Sequence, residues 1–249
     1  MENLVIKNLK YESTNNVPIW LMRQAGRYME EYRSIRSKFP DFMQMCKNSE
    51  AVTEITLQPI KKFDFDAAII FSDILVILDA IGINVNFVEG VGPIVNRPSD
   101  INKLKELPNL LNEDKVLPCY KAIKNVKNNI KKPLIGFAAA PWTLAAYFIE
   151  GKITKDLAIV KKFSYEYPEE MDNLISLFTN LIIDHLKNQI KAGVDIIQIF
   201  DTHAYQMDYF LHEKYSINQL KKIAKEIRIE HKEIPISFYT KSNLIFKNY

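Results

Sequence analysis

The stretch GVDIIQIFDTHA, Gly193 to Ala204, sets an apolar run directly against three polar residues. Only Asp195 and Gln198 interrupt the apolar character between Val194 and Phe200. Such a run reads as a strand buried on both faces, which is the habit of parallel sheets. Asp201, Thr202 and His203 then stand at the carboxyl end of that strand. Immediately upstream, Pro168 to Ala192 carries an apolar stripe through Leu174, Leu177, Leu181 and Leu186, with Pro168, Glu169 and Glu170 at its start and Gly193 at its end. These start and stop signals predict one long amphipathic helix feeding the strand.

Similar units recur along the chain. VPIWLM (17–22), FDAAIIF (65–71), KPLIGFA (132–138) and IPISFY (234–239) are further strand candidates, giving five in all. Ser49–Phe63 predicts a helix with Ser49 as its N-cap and Pro59 shortening its last turn. Tyr120–Lys132 reads as a basic, solvated helix face, and residues 80–98, rich in glycine and proline turns, read as a hairpin or excursion. Alternating strands and helices predict an α/β fold. Polar groups follow several strands: Arg23 and Arg27 after the first, Ser72 and Asp73 after the second, AAPWT (139–143) after the third, and Asp201 to His203 after the fourth. Site residues gathered from several strand ends favour a (β/α)₈ barrel over a doubly wound sheet, and neither GxGxxG nor GxxxxGK[ST] occurs. Without a linker or repeat, residues 1–249 are read as one domain.

Thirty-three basic and thirty acidic residues leave a net charge of +3, too small and scattered to imply nucleic acid or membrane as a partner. The first ten residues have neither the pattern of a signal peptide nor that of a transit sequence, and no apolar run approaches the roughly 18 residues of a membrane span. A cytoplasmic protein is expected. Cys46 and Cys119 stand alone, with no metal-ligand spacing, and are expected to be reduced thiols.

Asp73 lies within AAIIFSDILVILDAIG (67–82), where a buried carboxylate needs either a pairing cation or a cationic ligand. A structural role, capping a helix or pairing with a core arginine, answers the same pattern. Arg23 and Arg27 flank Gln24, Ala25 and Gly26 at a strand end; bidentate capture of carboxylates or phosphates suits them, although surface arginines are common.

Four segments, WLMRQAGRYMEEYR (20–33), DAAIIFSDILVILDAIG (66–82), GFAAAPWTLAAYFIEG (136–151) and AGVDIIQIFDTHA (192–204), together resemble the uroporphyrinogen decarboxylase family. The resemblance runs from about residue 5 to about residue 240, and implies a (β/α)₈ barrel, usually homodimeric, that uses no cofactor and no metal. It implies removal of carbon dioxide from the four acetate side chains of uroporphyrinogen to give coproporphyrinogen. By that resemblance Asp73 stabilises the protonated macrocycle, Arg23 serves the reacting acetate and its proton traffic, and Tyr147 lies near both. Arg27 anchors a peripheral carboxylate, Phe200 forms an apolar wall, Thr202 supplies a hydroxyl, and His203 binds substrate or organises its loop. His185, Trp20 and Trp142 are expected to be packing residues. Measured against the family, the sequence falls short by three C-terminal strand–helix units, which predicts an incomplete barrel of about five strands. An inactive remnant, or one half of a split enzyme with a complementing C-terminal chain, is the alternative; a zinc- or corrinoid-linked methyltransferase of the same superfamily is a further one.

Overall fold

Residues 3–97 and 100–241 are described in a computed structural model. The N-terminal part holds helices α1 (Leu4–Leu9), α2 (Glu30–Arg36), α3 (Phe42–Cys46) and α4 (Ser49–Phe63), then strand β1 (Ala68–Ile69), helix α5 (Val76–Ala80) and strands β2 (Val85–Val88) and β3 (Gly92–Val95). Helix α6 (Glu113–Asn129), β4 (Leu134–Ala139), α7 (Pro141–Glu150), α8 (Ala158–Glu166), α9 (Pro168–Ala192), β5 (Ile196–Asp201), α10 (Tyr209–His212), α11 (Asn218–Glu230) and β6 (Ile236–Thr240) follow.

One parallel sheet runs β1-β4-β5-β6, and β2 with β3 forms the separate antiparallel hairpin expected near residues 80–98. Main-sheet strands are neighbours in the order in which the chain makes them. A barrel demands that order, whereas a doubly wound sheet reverses direction at a switch point. The fold is accordingly of the (β/α) barrel class. Every residue of β4 and β5 is buried, which explains why their sequences are continuous apolar runs rather than alternating ones.

Two of the five expected strands need correction. Residues 17–22 form no strand, so the described part of the parallel sheet has four strands and not five. Pro18 has no N–H to donate to a ladder, and in place of strand pairing Ile19 exchanges hydrogen bonds with Asp66, just before β1: Asp66 N–H donates to Ile19 O (2.8 Å) and Ile19 N–H to Asp66 Oδ2 (2.7 Å). The expected strand at 65–71 shrinks to Ala68–Ile69. Side chains do the missing pairing. Gln24 donates to Ala67 O (2.6 Å) and accepts from Ile69 N–H (3.3 Å), the pattern that a neighbouring parallel strand would present around Ala68. On the other side, β1 pairs with β4 only as far as Ile70 N–H to Ile135 O. Beyond that, Phe137 N–H and O bond the Gln189 amide of α9 (2.9 and 2.8 Å). Released from β4, the chain after Ile70 turns to carry Ser72 and Asp73 into the open end of the sheet.

Helix expectations fare better. α9 begins at Pro168 and ends at Gly193, whose φ of +115° is the left-handed cap that favours glycine. α4 spans Ser49–Phe63 as expected, but its N-cap is Asn48, whose side chain accepts from Ala51 N–H (2.9 Å), and Pro59 does not shorten it. The basic helix expected over 120–132 is α6, Glu113–Asn129. Trp142 is fully buried against the Tyr215 ring, His185 is buried with Nδ1 2.8 Å from Tyr120 Oη, and half-buried Trp20 packs at the amino ends of the strands beside Val5, Ala67, Ile135 and Ile196. Both cysteines are buried and free.

Candidate active site

A cleft of about 380 Å³ opens at the carboxyl ends of the strands. Its charged and polar lining comes from five places in the chain: Arg23, then Ser72 and Asp73 after β1, Tyr147 of α7, Thr202 after β5, and Lys241 after β6. Phe137 and Phe200, in edge contact at 5.4 Å, and Phe87 of the hairpin supply apolar walls. A second hollow of about 740 Å³ adjoins it, sharing Asp73 and Phe87; Arg27, Arg36 and the hairpin turn from Val88 to Gly92 line it.

Asp73 sits where the two spaces meet. Its Oδ1 accepts Leu75 N–H (2.8 Å), an Asx-type closure just before α5. Among the described residues no lysine or arginine forms an ion pair with it. Burial pushes its pKa up to about 6, opposed only by the Leu75 N–H. Tyr147 is pushed up to about 12, first by burial and then by the negative charge of Asp73, with Arg23 acting in the opposite direction. The phenol therefore remains a hydrogen-bond donor throughout the neutral range. Thr56 fixes this end of the chain: its hydroxyl donates to Val52 O (2.7 Å) and accepts from Phe71 N–H (3.0 Å), tying α4 to the residue before Ser72.

Arg23 is exposed and lines the main cleft, whereas Arg27 lines only the second hollow. There its guanidinium lies 3.7 Å from Glu89 at the hairpin turn, both side chains being exposed. Phe200 and Thr202 line the cleft; His203 does not. His203 is buried behind Tyr147, ring centroids 5.3 Å apart and edge to face, and neither ring nitrogen makes a well-formed hydrogen bond among the described residues. Burial lowers its pKa, which keeps the imidazole neutral.

Asp201 is buried beneath the cleft floor and raised to about 6 by that burial. Its carboxylate accepts from Thr143 (3.0 Å) and Ser216, joining β5 to the start of α7 and to the π-helical turn Glu213–Ile217. It holds the platform and does not face the cleft. Lys241 escaped the sequence reading, although it directly follows the fifth strand candidate by the same rule that singled out Asp73 and Thr202. Phe87 could not be found that way, because the excursion carrying it folds back over the cleft only through tertiary contacts. Among the described residues no group of three or more His, Cys, Asp or Glu could hold a metal ion.

Chemically, the cleft offers one desolvated carboxylate at its floor, a phenol donor beside it, and cations at its flanks. That arrangement suits a ligand that brings hydrogen-bond donors or positive charge to the floor and anionic groups to the flanks.

A family model described as Uroporphyrinogen decarboxylase (URO-D) matches residues 2–248. Uroporphyrinogen decarboxylase of Ruthia magnifica is 44% identical over 248 residues, covering 97% of this chain and 71% of that protein. The enzyme of Dichelobacter nodosus is 42% identical over 242 residues, covering 96% and 69%, and that of Francisella philomiragia 38% over 250, covering 99% and 72%. Among solved structures, a methyltransferase from Methanosarcina mazei superposes with a TM-score of 0.72 at 18% identity, covering 96% of this chain and 69% of that one. A likeness at that identity speaks for the fold alone.

Proposed function

The chain belongs to the uroporphyrinogen decarboxylase family, and from that premise we propose that Asp73, Arg23 and Tyr147 carry its reaction in the cleft described above. The protein is a carboxy-lyase that converts the four acetates of uroporphyrinogen to methyl groups, giving coproporphyrinogen. A pyrrole acetate cannot lose carbon dioxide directly, since the electron pair of the breaking bond needs a sink. Protonating the pyrrole ring carbon creates one. The C–C bond electrons then form an exocyclic methylene as carbon dioxide departs. A second proton makes that methylene a methyl group, and loss of the ring proton restores the pyrrole, so each round consumes one proton net.

The observation that carries this reading is a carboxylate on the cleft floor with no cationic partner among the described residues. Asp73 is held in place before substrate arrives, and its charge is only partly answered by Leu75 N–H. Pyrrole N–H groups and the cationic ring of the intermediate supply the missing complement, which is preorganised electrostatic stabilisation. Arg23, on the same cleft, is suited to the reacting acetate and its proton traffic; Tyr147 donates a hydrogen bond to an acetate; Arg27 in the adjoining hollow takes a peripheral carboxylate. Phe200 and Thr202 flank the macrocycle with an apolar face and a hydroxyl, and His203 sets the tilt of the Tyr147 ring from behind.

The family's homodimeric habit extends to this chain in our reading. A further polypeptide segment, in cis or in trans, that continues the sheet beyond β6 is supported by the 69–72% share of each relative that the match covers and by the four strands described here. No helix among the described residues is long and apolar enough to cross a membrane. A cytoplasmic setting suits two buried, unpaired thiols. Anaerobic turnover of uroporphyrinogen by Asp73→Asn tests the assignment: shape is kept, the charge is lost, and activity should fall by at least about 10²-fold. Unchanged turnover would remove Asp73 from the mechanism.

A further inference from the structure

We propose that Lys241 is a carboxylate-binding residue for the substrate macrocycle, holding its rim on the flank opposite Arg23; this rests on the cleft being the decarboxylase site. The sheet order places the two cations far apart. Arg23 stands beside β1 and Lys241 follows β6, with β4 and β5 between them. At roughly 4.8 Å per strand, three spacings separate the flanks by about 14 Å along the sheet. Both residues line the one cleft whose floor is Asp73. A macrocycle seated with its N–H groups on Asp73 spreads carboxylates in every direction across its rim. Arg23 meets those on the β1 side. Toward β6 the lining offers the Thr202 hydroxyl and Tyr239, and Lys241 is its cation.

The lysine is free to act. Its side chain is exposed, no carboxylate among the described residues pairs with it, and its ammonium hangs 6.0 Å from the Tyr205 ring centroid, the outer limit of a cation–π contact. A flexible stem bearing a point charge tolerates the change of rim geometry as acetates become methyls. Lys241 contributes affinity at the rim and touches no reacting atom, so it is a binding residue and not a catalytic one.

The test uses the full chain and uroporphyrinogen under anaerobic conditions, with fluorescence titration of oxidised uroporphyrin as a direct binding measure. Lys241→Gln should raise KM and the porphyrin Kd about tenfold, with kcat reduced less than about threefold. Lys241→Arg should restore both constants to within about threefold of the parent, and both Lys241 variants should melt with it, since the side chain is exposed. Arg23→Gln and Asp73→Asn serve as controls on the site. If they lose turnover while Lys241→Gln binds and turns over like the parent, the Lys241 assignment is overturned and the site stands. If none of the three alters binding or turnover, the macrocycle is bound elsewhere and both assignments fall.

Discussion

At the level of single residues, burying the Asp73 carboxylate works against stability. Its folded pKa of about 6 stands above the roughly 3.9 of an unfolded aspartate, so the fold disfavours the ionised form. The sign follows: the folded state loses stability as pH rises from about 4 through about 6, and the loss is complete above that range. Asparagine in its place still accepts the Leu75 N–H but carries no charge. Asp73→Asn should therefore melt higher than the parent above pH 6, by about 2–6 °C for about 1–2 kcal/mol, a figure reduced from the full shift because the side chain is partly open to solvent. Below about pH 4 the two proteins should melt together. Thermal melts at pH 4, 6 and 8 decide the matter, and a gain independent of pH would mean that no carboxylate strain is stored at this position. Asp73, Arg23 and Thr202, all of which line the cleft, were legible because each sits at or next to the end of an apolar run, whereas Phe200 was singled out by the family resemblance. Tyr147 was not legible that way. It lies inside a helix, its sequence reads equally as core packing, and only the family resemblance distinguished it. The burial of His203 behind Tyr147 depends on how α7 crosses the end of β5, which no local pattern encodes.

At the level of elements, two glutamines explain where the strand reading failed. An apolar run reports burial, not which groups complete a ladder. Around β1 the ladder is completed on one side by the Gln24 amide and on the other, beyond Ile70, by the Gln189 amide. Both amides are buried, so the loss of either leaves backbone groups unpaired out of water, at about 1–3 kcal/mol each. Gln24→Glu keeps the shape, removes the donor to Ala67 O, and adds a buried charge. It should lower stability by about 2–4 kcal/mol and reduce turnover with it, because Arg23 is the next residue and Asp73 lies on the segment that Gln24 anchors. Gly136 belongs to the same device. A Cβ there would stand 2.4 Å from Gln189 Oε1 and 2.9 Å from Val194 Cγ1, so Gly136→Ala must displace the amide from Phe137. An overpacking cost of about 1–3 kcal/mol is expected, together with faster hydrogen exchange at the Phe137 N–H. Retained protection at that amide in a stable Gly136→Ala protein would show that Gln189 does not act as the ladder partner. By contrast, β4, β5 and β6 were legible at nearly their true limits, since their pairing with one another is made by neighbouring backbone.

At the level of the whole molecule, the net charge of +3 says little, and the distribution says more. Arg23 and Lys241 stand on the main cleft, Arg27 and Arg36 on the adjoining hollow, and the anions facing these spaces are Asp73 and Glu89. The sequence reading treated basic residues as scattered, because Arg23 and Lys241 are more than two hundred positions apart in the chain; the barrel brings them to one rim. A polyanion approaching that rim is attracted before contact, and such steering acts on association more than on the chemical step. Salt shortens its reach, from a Debye length of about 10 Å at 0.1 M to about 3 Å at 1 M. For uroporphyrinogen, kcat/KM should fall by about five- to tenfold between 0.05 and 0.5 M ionic strength, while kcat changes less than about twofold. Glu89 supplies an internal check, because it lies 3.7 Å from Arg27 and, if Arg27 takes a substrate carboxylate as proposed, competes with it for that guanidinium. Both partners are exposed, so the competition is weak. Glu89→Gln should raise kcat/KM by about two- to threefold at low salt and have no effect at 0.5 M. A flat salt profile, or a Glu89→Gln effect that persists at high salt, would show that the rim charges act through local geometry and not through a field that gathers substrate.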